Sequence, residues 1–100
     1  MLFRSARAEG RTLCSGMADL AFDPRAVLLG AGEGAVKVIA DSTLGEILGV
    51  HAVGPESVEI AQVAAALMQA EVPVADLAAM TFSHPSTAEA LGQAARDALR

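Results

Sequence analysis

The sequence predicts an α+β domain in which an antiparallel β-sheet is backed on one side by helices. Three observations carry this expectation. Strand and turn signals fill residues 11–53, and helical signals fill residues 55–100. Two Val- and Ile-rich runs, Ala35–Ala40 and Ile47–Val53, flank a segment suited to a turn. One hundred residues suffice for one compact core and not for a second, so residues 1–100 are read as a single domain.

Taken in chain order, residues 5–9 (SARAE) read as the end of a helix. Strands are expected near Arg11–Phe22 and Arg25–Leu29, although Gly16 and Pro24 interrupt them. The clearest strands are AVKVIA and ILGVHAV, short and bounded by glycine. Between them Asp41, Ser42 and Thr43 supply turn formers and Gly45 a left-handed position, so a hairpin follows. Glu56–Ala70 reads as a helix whose polar residues Glu59, Gln62 and Gln69 occupy one narrow stripe. A helix so apolar around its girth is expected to touch protein on more than one side. Pro73 introduces a short helix over Val74–Met80. The last helix runs from Thr87 nearly to the C-terminus, with Ala88, Leu91, Ala95, Ala98 and Leu99 on one face.

Composition narrows the function. The apolar fraction is 53%, with only three aromatic residues, so backbones pack closely and some apolar surface is left for a partner. The formal net charge is −5 and the seven basic residues are scattered, which argues against nucleic-acid binding. Cys14 is the only cysteine; it cannot form an internal disulfide, lacks the neighbours of a zinc site, and is expected to be inert and partly buried. No metal site is expected. No apolar run approaches the ~18–20 residues that span a bilayer, and Met1–Phe3 is too short for a signal sequence. The expected setting is the reducing cytoplasm.

Three motifs invite chemistry. Gly30-Ala31-Gly32-Glu33-Gly34 suggests a phosphate-binding loop, but such a loop needs a helix N-terminus after it and here a strand follows. His51 lies within a strand and has no acidic or second histidine neighbour in sequence, so it reads as an ordinary strand residue. The stretch Thr81–Leu91, TFSHPSTAEAL, is the most informative. Ser86 and Glu89 have capping-box spacing, Ser86 as N-cap and Glu89 at the third helical position, which accounts for the carboxylate without catalysis. The same spacing lets Glu89 fold back to the imidazole of His84, fixing its tautomer and stabilising its protonated form. That is the orienting logic of a catalytic triad, with the nucleophile to come from elsewhere.

The run GAVKVIADSTLGEILGVHAVGPESVEIAQVAAALMQ followed by HPSTAEAL resembles the interface (dimerisation) domain of flavin-dependent pyridine nucleotide–disulfide oxidoreductases of the dihydrolipoamide dehydrogenase type. The resemblance spans about Arg25 to the end of the chain. It implies an antiparallel sheet backed by helices within a two-fold homodimer. It implies that His84 is the acid–base residue serving the redox-active cysteine pair of the other subunit, and that Glu89 holds it. It further implies that the backbone of His84 and Pro85, joined by a commonly cis bond, lies against the partner's flavin. Mercuric reductases of the group usually lack this histidine, so its presence favours a dithiol or disulfide substrate. FAD and NAD(P) belong to the full-length enzyme, bound by its remaining domains; none is expected for this chain alone. Ala35 stands where an aromatic residue is common and Leu44 where Thr is common, and residues 1–10 match poorly. The flavin-binding glycine motif and the paired cysteines do not occur in these 100 residues. Two readings follow: a fragment of such an enzyme, with His84 and Glu89 catalytic in the whole assembly, or a non-catalytic, free-standing dimerisation module.

Overall fold

A computed structural model describes residue 10, residues 12–30 and residues 33–100. Its sheet has three antiparallel strands in the order β1 (Leu13–Asp19), β2 (Ala35–Asp41) and β3 (Ile47–Val53). Among the described residues four α-helices accompany them, α1 (Pro24–Leu28), α2 (Ser57–Gln69), α3 (Val74–Ala79) and α4 (Glu89–Ala98), with a single 3-10 turn at Leu20–Phe22 before α1. The fold is α+β, as the order of signals along the chain implies.

The two clear strands form where expected, joined by the anticipated hairpin. Asp41 builds the turn: its Oδ1 accepts from the N–H groups of Thr43 at 2.7 Å and Leu44 at 3.2 Å, and Gly45 takes a φ of +79°. The pairing passes from Ile39–Gly49 to Ala40–Ile47, so Leu48 is an extra residue in β3. This bulge leaves consecutive residues Ile47 and Leu48 both buried. On the helix side of the sheet, β2 contributes Val36, Val38 and Ala40, all fully buried, and Ala18 of β1 lies opposite Val36.

Earlier in the chain the structure departs from expectation. Gly16 does not interrupt a strand; it lies in the middle of β1, where α4 crosses. A Cβ there would stand 2.2 Å from both the Ala94 carbonyl oxygen and the Ala98 nitrogen, so only glycine admits the helix at this distance. Asp97 uses the same approach to accept a hydrogen bond from the Met17 N–H at 2.9 Å. Residues 25–29, expected as a strand, instead belong mostly to helix α1. Asp23 is its N-cap, accepting from the Ala26 N–H at 3.0 Å, and Pro24 occupies the first turn. Those two start signals outweigh the apolar run Ala26–Leu29, which is equally compatible with a strand. The helix end expected at residues 5–9 lies outside the described residues.

Helix α2 buries one stripe, Ile60 and Ala64, with Val63, Leu67 and Met68 packed against the core. Helix α4 packs on β1 and β2 and against α3, burying Ala90, Leu91, Ala94, Ala95 and Ala98. Arg96 ties it to α3 by donating to the Ala78 carbonyl at 3.0 Å. Between α3 and α4 the chain runs without regular structure, and the Phe82 ring lies against Gly92. The next residues of this connection, His84 and Pro85, emerge at the surface.

Candidate functional site

The expected histidine–carboxylate pair forms. His84 Nδ1 lies 2.9 Å from Glu89 Oε1 and 3.2 Å from Oε2. The imidazole is 66% exposed and the carboxylate 22%, so the acid stands behind the ring, shielded by it and by the chain. The His84–Pro85 bond is cis.

Glu89 has a second partner. The Ser86 N–H donates to its Oε2 at 3.0 Å, one arm of the capping box. The other arm is not made. The Ser86 hydroxyl is buried with no hydrogen-bond partner among the described residues. Helix α4 begins at Glu89 rather than Thr87, because residues 86–88 form a tighter turn in which the Glu89 N–H approaches the Ser86 carbonyl at 3.3 Å. The Ser86 N–H, and after it His84, hold the Glu89 carboxyl below its ordinary value. At neutral pH Glu89 is therefore an anion, which can only accept hydrogen bonds. The proton of a neutral His84 ring then resides on Nδ1, leaving the Nε2 lone pair available.

A contact beside this pair was not foreseen. The Thr87 hydroxyl donates to Glu56 Oε2 at 2.7 Å, and Arg25 Nε lies 3.4 Å from Glu56 Oε1. The bond from Thr87, then that from Arg25, lowers the Glu56 carboxyl below its usual range. The one local signal was an unusual one: glutamate at a helix N-cap position, where Ser, Thr, Asp or Asn is preferred.

The other candidates stay apart from this site. Gly30 and Gly34 both have positive φ, and β2 begins directly after Gly34, where a phosphate-binding loop would need a helix. His51 is an exposed residue of β3, opposite Lys37 of β2. Cys14 is free and half-buried. Among the described residues no group of His, Cys, Asp and Glu could hold a metal ion, and no helix is long and apolar enough to cross a membrane. A groove of about 470 Å³ bounded by Leu44, Ile47, Met68 and Pro73 is lined by none of residues 84–89. His84 itself is exposed at the surface, outside that groove.

Comparison with known proteins identifies the family of the domain. Residues 4–95 match the family described as the pyridine nucleotide-disulphide oxidoreductase dimerisation domain. The chain belongs to this family. As a pyridine nucleotide-disulphide oxidoreductase dimerisation domain it is 37% identical over 93 residues to the dihydrolipoyl dehydrogenase of Rhizobium etli, covering 93% of this chain and 19% of that protein. It is 38% identical over 89 residues to dihydrolipoyl dehydrogenase 3 of Pseudomonas putida, covering 89% of this chain and 19% of that protein. Among solved structures, the HOCl-induced flavoprotein disulfide reductase RclA from Escherichia coli superimposes with a TM-score of 0.88 at 27% identity, over 96% of this chain and 22% of that one. The chain therefore spans about a fifth of the length of the curated relatives it matches. The family match reaches residue 4, further toward the N-terminus than the motifs legible by eye.

Proposed function

We propose that this chain is the dimerisation domain of a dihydrolipoamide dehydrogenase-like flavoenzyme, a homodimer in which His84 and Glu89 serve the dithiol or disulfide site of the partner subunit. The observation that carries this reading is a carboxylate 2.9 Å from Nδ1 behind an imidazole that is 66% exposed. A thiol attacks only as its thiolate, so a base must take the substrate's proton and later return it. Nε2 accepts that proton while Nδ1–H stays on Glu89, whose negative charge stabilises the imidazolium that forms.

FAD and NAD(P), held by the remaining domains of such an enzyme, supply the electron transfer. His84 and Pro85 are both exposed, so their backbone edge is open to the flavin of a partner subunit. Gly34 leads directly into strand β2, whereas a pyrophosphate-binding loop leads into a helix. We place the enzyme in the cytoplasm, where thiols are kept reduced.

A non-catalytic dimerisation module is the competing reading. It draws on the Ser86 N–H bond, which gives Glu89 a purely structural use. Replacing His84 by Gln in the enzyme that carries this domain separates the two. Dithiol turnover is expected to fall by about 10²–10⁴-fold, the usual contribution of general acid–base catalysis, while hydride exchange between nicotinamide and flavin is retained. Equal loss of both activities, or of neither, would overturn the acid–base assignment.

A further inference from the structure

We infer that Glu56 is a positioning residue for the His84–Glu89 pair, acting through Thr87; its catalytic consequence rests on the function proposed above, but the positioning itself does not. Glu56 has φ +58° and ψ +23°, a left-handed conformation that glycine and asparagine adopt readily and glutamate does not. Its carboxylate stands at the start of α2, where it could cap the helix and interact with the dipole, yet it makes no side-chain cap bond there. It turns instead toward Thr87, 31 residues away in sequence.

Thr87 is only 2% exposed, and its hydroxyl donates to Glu56 at 2.7 Å, within the range of short, charge-assisted O–H···O⁻ bonds. Arg25 at 3.4 Å steadies the same carboxylate from α1. One side chain thus joins α1, the start of α2 and the segment carrying the site. Thr87 lies inside the loop that the pair closes. Ser86 precedes it and supplies the N–H bound to Glu89, and Glu89 follows two residues later. With Thr87 fixed, the Ser86 N–H and the His84 ring both meet the Glu89 carboxylate. With Thr87 released, the bonds that remain to this turn run within residues 84–91, and none of them fixes it against α1 or the start of α2.

The test uses the ¹⁵N-labelled chain and reads the His84 imidazole nitrogens by long-range ¹H–¹⁵N spectra, with His84→Gln distinguishing its signals from those of His51. In the unmodified chain the neutral ring is expected in the Nδ1–H form. Thr87→Val keeps the side chain's volume and deletes the hydroxyl. Glu56→Gly deletes the carboxylate and places at the left-handed position a residue at ease there, so the fold is retained. In both variants the neutral ring is expected to revert to a mixture dominated by the Nε2–H form, the ordinary preference of an unconstrained histidine. Glu56→Gln, whose amide oxygen still accepts from Thr87, is expected to preserve the Nδ1–H spectrum. Unchanged Nδ1–H signals in folded Thr87→Val and Glu56→Gly would overturn the inference. Because the readout involves no turnover, that result would leave the catalytic assignment of His84 standing, and a failed His84→Gln assay would leave the positioning standing.

Discussion

At the scale of single residues, the candidate site depends on how one carboxylate divides its bonds. Glu89 accepts from the Ser86 N–H and meets His84 Nδ1, and its folded-state carboxyl lies below the ordinary value of 4.5. Glu56 is lowered as well, chiefly by Thr87. A carboxyl whose pKa is lower in the folded than in the unfolded chain binds protons less readily when folded. Its stabilisation is fully present above the unfolded value and is lost as pH falls through the folded value. Melting temperature should therefore drop as pH is taken from about 5 to about 3, and Glu89→Gln should flatten that drop. Circular dichroism melts of both proteins across this range are the check, and parallel curves would contradict it. At neutral pH the substitution should cost about 1 kcal/mol of stability, because an amide has one acceptor oxygen for two donors. It should also reduce dithiol turnover less than His84→Gln does, since the amide can orient the ring but cannot stabilise its charge; if the carboxylate served only as a cap, turnover would not change. The pair was legible in HPSTAE because its members are five residues apart in one turn. The Glu56–Thr87 bond was not, because a glutamate at a helix N-cap is unusual but does not say that its carboxylate will reach a residue 31 positions away.

At the scale of elements, the places where expectation failed are places where tertiary contact or a cap decided the outcome. Gly16 looked like a strand breaker because a lone glycine contributes no side chain to a sheet. Its purpose is visible only once α4 lies across β1. Residues 25–29 contain Val and Leu and read as extended, but Asp23 and Pro24 together begin a helix. The hairpin turn was legible because Asp41 and Gly45 build it locally, whereas the bulge at Leu48 was not. Gly16→Ala should therefore be among the costliest single-methyl additions in the chain. The new Cβ meets backbone rather than flexible side chain, at 2.2 Å from two atoms of α4, so the helix must shift to admit it. A loss of about 3 kcal/mol is expected, at the upper end for overpacking. It should appear as a lower urea midpoint with a similar slope; a midpoint within error of the parent's would show that α4 does not sit this close.

At the scale of the whole molecule, the arrangement of apolar surface indicates where a second copy would bind. An excess of apolar helix surface in so small a domain points to α2 and the last helix as contributors to such a contact. Helix α4 has spent its apolar face inside the fold, and Arg96 is among the residues it leaves outside. Helix α2 has not. It packs through Ile60 and Ala64, and its outer face carries Val58, Ala61, Ala65 and Ala66, with Val58 77% exposed. Small residues at helical spacing let a second backbone approach closely, and a face of this kind is apt for a self-complementary two-fold contact. The expected outcome is that the chain dimerises at micromolar concentration through α2. Ala65→Arg, which sets a long charged side chain on the outer face away from Ile60, should weaken association by at least about tenfold, or roughly 1.4 kcal/mol, without lowering the monomer's stability. Light scattering across a dilution series reads the mass, and circular dichroism confirms the fold. A strictly monomeric parent chain would remove α2 as a sufficient interface, and an equally dimeric Ala65→Arg variant would move the contact elsewhere on the domain. Were dimerisation through α2 observed, the exposed His84 edge would be carried on a two-fold body, the geometry in which each subunit can lend its imidazole to the other.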